Sequence, residues 1–282
     1  MEKINLHLLK RSSKYFCLHL FLIVVALTCL FPLFWMIRCS LMDNQTVFTD
    51  KGIIPQVINF GNYPDAWIQG NFGTYFLNSL IYTTCVVFGI VLISSLAAFA
   101  FSRLKFPGRK FFYYMFVIAM MIPLPGSFVP LFVLMNKLHL ANTKIGYILC
   151  MVNVGLSLSI ILLKTFFDKM PSDLEDAARI DGCNKWQIWW NVALPLARPA
   201  VAVIVIFNSL NVWNEFILAQ LLLSDTKHMP LQKGLMEFAG VHNTNYPLLM
   251  AGLTIAAVPI ILLYLAMQKH IIKGLSSGAV VG

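Results

Sequence analysis

Residues 16–37 read FCLHLFLIVVALTCLFPLFWMI, 22 consecutive positions without an Asp, Glu, Lys or Arg. About 20 apolar residues suffice for a helix to cross the hydrocarbon core of a bilayer. The run outlasts the roughly 7–15-residue apolar core of a signal peptide, and no small-residue cleavage site follows it. It is therefore expected to stay as a first membrane helix. Outward from it the pattern repeats. Uncharged stretches occupy 75–101, 111–136, 145–163 and 246–267, and 199–223 is apolar except for Glu215. The expectation is an all-α polytopic membrane protein with six transmembrane helices.

The whole chain agrees. Of its 282 residues 59% are hydrophobic and 12% charged, with a mean hydropathy of +0.75. A soluble domain is about 45–50% apolar and about 25% charged, so this chain lacks the polar surface a soluble enzyme, a disordered protein or a nucleic-acid-binding domain requires. Six spans leave both ends on one side. That side takes fifteen of the 21 Lys and Arg, from the N-terminus, the 102–110 loop, the 164–198 loop and the C-terminus. The other side takes six, and the acidic residues divide equally. The positive-inside rule then places both termini in the cytoplasm (N-in, C-in) and explains the net charge of +9 without any nucleic-acid partner. The layout is a cytoplasmic N-terminus at 1–15, a membrane domain at 16–267 and a cytoplasmic tail at 268–282. Outer loops fall at 42–74, 137–144 and 224–245.

Local chemistry narrows the function further. Six scattered cysteines form no CxxC pair, and the six histidines show no ligand spacing, so neither a disulfide framework nor a metal site is expected. There is no GxxxxGK[ST] or HExxH, hence no phosphate-cradling loop and no zinc-protease helix is expected. Pro123, Pro125 and Pro130 interrupt the third apolar stretch and predict a kink or unwound turn there. Asn208, Asn211 and Glu215 recur at i, i+3 and i+7 in the fifth, while Asn153 and Ser157 lie one turn apart in the fourth. Two readings of these polar residues stand side by side: hydrogen-bonding glue between helices, or a polar translocation path suited to sugar hydroxyls.

The most informative loop, 168–198, lies between spans four and five. Residues 171–199 read PSDLEDAARIDGCNKWQIWWNVALPLARP. Ser172 and Glu175 have capping-box spacing, and Asp173, Glu175 and Asp176 suit the positive end of a helix. Gly182 is placed to end that helix in a left-handed conformation. Asn184 and Gln187 start a second helix, and Leu194-Pro195 ends it. Leu174, Ala177 and Ala178 form a small apolar face on the first helix. Trp186, Trp189 and Trp190 form one on the second, which suits either a bilayer surface or a docking partner.

The spacing Asp176-Ala177-Ala178, Gly182, Val192, Leu194-Pro195 resembles the EAA loop of binding-protein-dependent ABC importers, with Asp176 in place of Glu and Val192 in place of Ile. Further segments resemble the carbohydrate-importing subgroup and are similar to its second maltose-type permease subunit. These are Arg103-Leu104-Lys105-Phe106-Pro107-Gly108, Ala178-Arg179-Ile180-Asp181-Gly182, Trp213-Asn214-Glu215-Phe216 and the tail from Gly274 to Gly282.

The resemblance implies the type I ABC importer permease architecture in a bacterial cytoplasmic (inner) membrane. It implies that Glu175, Asp176, Ala177, Ala178, Asp181, Gly182, Leu194 and Pro195 dock an ATPase. The expected partners are a second permease subunit, two ATPase subunits, an extracytoplasmic solute-binding protein, a sugar substrate and membrane lipid. ATP and Mg would be bound by the ATPase subunits and no cofactor by this chain, which is not itself an enzyme. In the third outer loop Met229, Leu231, Leu235 and Phe238 are expected to contact the binding protein, the alternative being that they fold back on the outer helix ends. Three alternatives stay open: an importer of another small solute such as glycerol phosphate, an amino acid or a peptide; a secondary transporter; and an intramembrane enzyme.

Overall fold

The computed structural model describes residues 2–122, 124–238 and 244–279. The described residues form long helices and short helical pieces joined by turns. In order these are α1 (Glu2–Ser40), α2 (Asn62–Gln69), α3 (Phe72–Arg103), α4 (Arg109–Ala119), α5 (Leu124–Lys137), α6 (Lys144–Lys169) and α7 (Asp173–Ile180). There follow α8 (Lys185–Ile188), a π turn (Trp189–Ala193), α9 (Leu194–Leu196), α10 (Arg198–Trp213), α11 (Ile217–Leu222), α12 (Leu231–Gly234) and α13 (Tyr246–Ala279). The shorter pieces α2, α7, α8, α9, α11 and α12 all lie in or beside the polar loops.

Among the described residues, four unbroken helices are long and apolar enough to cross a membrane: Tyr15–Ser40, Phe72–Arg103, Lys144–Lys169 and Tyr246–Gln268. The other two expected spans are interrupted. Over 111–136 the chain forms α4, ending at Ala119, and α5, beginning at Leu124. Prolines lack the N–H that would continue the ladder, and they bias the preceding residue away from helix. Pro123 itself lies outside the described residues, and Pro130 is carried inside α5. Over 199–223, α10 stops at Trp213 and α11 restarts at Ile217.

The helices group into two compact units, Met1–Gly70 with Phe238–Ile255, and Asn71–Glu237 with Ala256–Gly282. In the first, α1 buries only Arg38, Cys39 and Ser40 among its residues from Tyr15 onward. The Arg38 guanidinium donates to the carbonyls of Gly52 (2.8 Å) and Asp50 (2.9 Å) and lies over the Trp35 ring. The Asn62 amide donates to the carbonyls of Ser40 and Met42, both at 2.8 Å. The first outer loop is thus pinned to the end of α1. Backbone N–H groups of Gly52 and Gln56, with Arg38 nearby, hold the Asp50 carboxyl below the usual range.

The second unit has its core where α3, α6 and α10 pack together. Tyr82, Val86 and Ile90 of α3 meet Tyr147, Met151 and Leu163 of α6 and Ile204 of α10, all buried. The Tyr82 and Tyr147 rings lie 4.7 Å apart, and Phe99 meets Phe167 edge-on at 6.1 Å. The two ends of α3 each receive a polar loop: residues 168–175 at the Arg103 end and 227–235 at the Phe72 end.

Candidate functional site

At the Arg103 end the loop is a helix, a glycine turn and a second helix. α7 terminates with the Gly182 N–H bonded to the Arg179 carbonyl (3.0 Å) and the Cys183 N–H to the Ala178 carbonyl (2.9 Å). That paired closure needs a left-handed residue, and Gly182 has φ +83°. α8 opens with a full capping box. The Asn184 side chain accepts from the Gln187 N–H (3.0 Å), and the Gln187 side chain accepts from the Asn184 N–H (2.7 Å).

Two details differ from the expectation. Ser172 is itself helical and its side chain caps nothing. Glu175 forms no capping box because its carboxylate is buried and ion-paired to Arg103 at 2.8 Å. Nor does Leu194-Pro195 end the second helix. The turn comes at Ala197, where Lys185–Leu196 meets Arg198–Trp213 at 76°. Pro195 has no N–H for the Asn191 carbonyl and its ring would crowd that oxygen. The wide π turn just before it accommodates both defects.

This geometry divides the expected docking residues into two sets. Ala178, like Glu175, faces inward and packs in the core, and Leu194 and Pro195 are half-buried. Asp176, Ala177, Asp181 and Gly182 are exposed. The outward apolar surface is made of Leu174, Ala177 and Ile180 on α7, and of Trp186 and Trp190 just beyond the turn. Ile180 is 86% exposed and Trp186 68%. Trp189 is buried and does not share that face. Sequence reasoning missed Ile180. Its spacing of three from Ala177 is the signal that could have found it.

The polar residues of the apolar stretches do not converge on one stripe. Asn208 is buried, and its amide donates to the Ser159 hydroxyl (3.1 Å) and the Ile204 carbonyl (2.9 Å). It ties α10 to α6, as interhelical glue does. Asn153 and Asn211 are exposed and Ser157 is half-buried. Glu215 lies past the end of α10, so helical spacing no longer relates it to Asn208. Its carboxylate accepts the Leu218 N–H (2.7 Å), the Ala219 N–H (3.0 Å) and the Tyr147 hydroxyl (3.2 Å). It therefore caps α11, where a negative charge meets unsatisfied backbone donors. A cleft of about 470 Å³ opens between α3, α10 and α13, lined mainly by apolar side chains with Thr83, Thr84 and Ser209.

At the Phe72 end the loop is folded onto α3. The Asn78 amide donates to the carbonyls of Lys227 (2.9 Å) and Met229 (3.0 Å), and the Tyr82 hydroxyl to that of His228 (2.7 Å). The Leu231 N–H donates to the Ser79 hydroxyl (2.8 Å). The Lys233 ammonium donates to the Leu223 carbonyl, and burial pulls its pKa below the ordinary lysine value. A Cβ on Gly234 would come within 2.1 Å of the Tyr75 ring, so only glycine permits this approach. Of Met229, Leu231, Leu235 and Phe238, none presents an exposed side chain. Leu231 and Leu235 are buried and Met229 is half-buried, because α3 offers the loop hydrogen-bonding side chains and an apolar wall; Phe238 is buried as well. Met236 is the exposed apolar residue there, and 239–243 lie outside the described residues.

Similarity to known proteins runs along nearly the whole chain. The chain is 32% identical to the diacetylchitobiose uptake system permease protein NgcG of Streptomyces coelicolor, over 92% of this chain and 87% of that one. It is 30% identical to the arabinooligosaccharides transport system permease protein AraQ of Bacillus subtilis, over 94% and 95%. A chain from the crystal structure of a bacterial ABC transporter involved in the import of the acidic polysaccharide alginate superposes with a TM-score of 0.80. It is 27% identical, covering 93% of this chain and 98% of that one. Residues 89–277 match the family described as binding-protein-dependent transport system inner membrane component, and the chain belongs to that family as an inner-membrane transport subunit, not an enzyme.

Proposed function

We propose that the chain is one of two permease subunits of an ATP-driven importer for a sugar or oligosaccharide, with the α7–α9 loop docking an ATPase on the cytoplasmic side. The observation that carries this reading is the apolar surface of Leu174, Ala177, Ile180, Trp186 and Trp190. It stands exposed on a loop that closes its own turn through the Gly182 hydrogen bonds and the Asn184–Gln187 box. Such a surface calls for a partner with a groove. The 76° elbow at Ala197 then joins the docking surface directly to α10, so a displacement of one is passed to the other. ATP and Mg belong to two ATPase subunits. A second permease subunit completes the six-span, N-in and C-in half formed here, and an extracytoplasmic binding protein supplies the solute. The sugar class is supported by relatives named for diacetylchitobiose and arabinooligosaccharides.

Purification of the tagged chain from its native membrane, followed by reconstitution into proteoliposomes, tests the proposal. The expected result is retention of an ATPase and oligosaccharide uptake that requires both ATP and binding protein. Uptake driven by an ion gradient, with no ATPase retained, would contradict it.

A further inference from the structure

The docking helix α7 is two turns long, and a helix so short has little stability of its own. Its orientation must come from what its inner face touches. That face carries Ala178, packed in the core, and Glu175, whose buried carboxylate lies 2.8 Å from Arg103 and 3.9 Å from Arg179. Arg179 is largely exposed and engaged with Asp176 at 3.2 Å, so Arg103 is the close and sheltered partner. The approach of Nε to Oε1 is Coulombic and not a well-aligned hydrogen bond.

Arg103 is the last residue of α3, and the rest of its guanidinium is spent elsewhere. One terminal nitrogen donates to the carbonyls of Phe167 and Met170 at the end of α6, where the helix leaves carbonyls without a partner in the next turn. A cation is well placed there against the negative end of the helix. Beside it the Ser102 hydroxyl donates to Asp168 (2.7 Å), which is also paired to Lys164 (2.6 Å). One planar side chain thus holds the ends of two membrane helices and the buried face of α7. Lysine could not reproduce this, since it offers a single point of charge and no fork.

From this juxtaposition we infer that Arg103 is a positioning residue. Through Glu175 it locks the docking helix to the ends of α3 and α6, so that a push on the outer face of α7 moves the membrane helices instead of swinging α7 alone. The inference rests on the ATPase-docking reading above. It takes Glu175 out of the contact surface and makes it the inner anchor of that surface.

The test uses the complete permease–ATPase complex in lipid nanodiscs. The readout is MgATP hydrolysis with and without the solute-binding protein, and the ratio of the two rates reports coupling. Arg103→Gln and Glu175→Gln are each expected to lower that ratio about fivefold or more while the ATPase stays bound. The double variant should be no worse than either single one, as for two members of one link. A role confined to stability would lower yield and melting temperature and leave the ratio alone. A wild-type ratio in both Gln variants would overturn the inference while leaving docking intact. Absence of ATPase from the wild-type complex would instead overturn the docking reading, and this inference with it. If Arg103→Gln yields no folded heterodimer, Arg103→Lys carries the same expectation, because it keeps the charge and gives up the fork. Failure of all three variants to fold would also overturn the inference, reducing the pair to a folding element.

Discussion

The two ends of α3 hold loops that look alike in sequence and behave in opposite ways. Both 171–199 and 224–238 are polar segments studded with large apolar residues. At the Phe72 end Asn78, Ser79 and Tyr82 bond the loop backbone, and Leu231 and Leu235 follow it inward. At the Arg103 end the loop closes its own turn, through the Gly182 closure and the Asn184–Gln187 box. Ile180, Trp186 and Trp190 are then left outside. The difference lies in who supplies the hydrogen bonds. A loop that must borrow them folds back onto the lender and buries its apolar residues. A loop that is self-sufficient keeps them free for another molecule.

Three substitutions can break or sharpen this contrast. The largest effect is expected from Leu231→Ala, at a position with no exposed surface. It should cost about 2–5 kcal/mol, as a cavity in a packed site does, and thermal unfolding of the purified permease measures it. A loss within experimental error would mean that the loop is not locked onto α3. Next comes Gly182→Ala, which forces a Cβ into the left-handed region at φ +83°. It should cost about 1–2 kcal/mol, and should weaken ATPase retention because α7 loses its closure. The smallest effect on stability is expected from Trp186→Ala, which should stay within about 0.5 kcal/mol, as exposed sites do. The same substitution should nevertheless weaken ATPase binding about tenfold or more, as loss of an aromatic anchor does. A fall in melting temperature comparable to that of Leu231→Ala would erase the distinction between the two ends.

How much was legible in the sequence follows the range of the interactions. The long apolar runs, the Gly182 turn and the Asn184–Gln187 box depend on residues within a few positions of one another, and they were readable. Glu215 was placed wrongly on a helical stripe with Asn208. The spacing argument assumes an unbroken helix, and α10 stops at Trp213. Glu175 looked like a cap residue because its true partner, Arg103, lies at the end of a different helix. Ala178 looked like part of the docking face, but a two-turn helix has an inside and an outside that only its neighbours decide. The burial of Leu231 depends on α3 in the same way. Sequence spacing identifies the loop as amphipathic, and tertiary packing decides which apolar residues are spent on the fold.

The central claim, that the exposed α7 surface is covered by an ATPase, is tested most directly by thiol footprinting. Ile180→Cys is introduced on a background with the six native cysteines replaced. Maleimide labelling is compared in inside-out vesicles before and after the peripheral subunits are stripped away. The account expects Ile180→Cys to label freely in the stripped permease and to be protected in the assembled complex. Equal labelling in both states would contradict it.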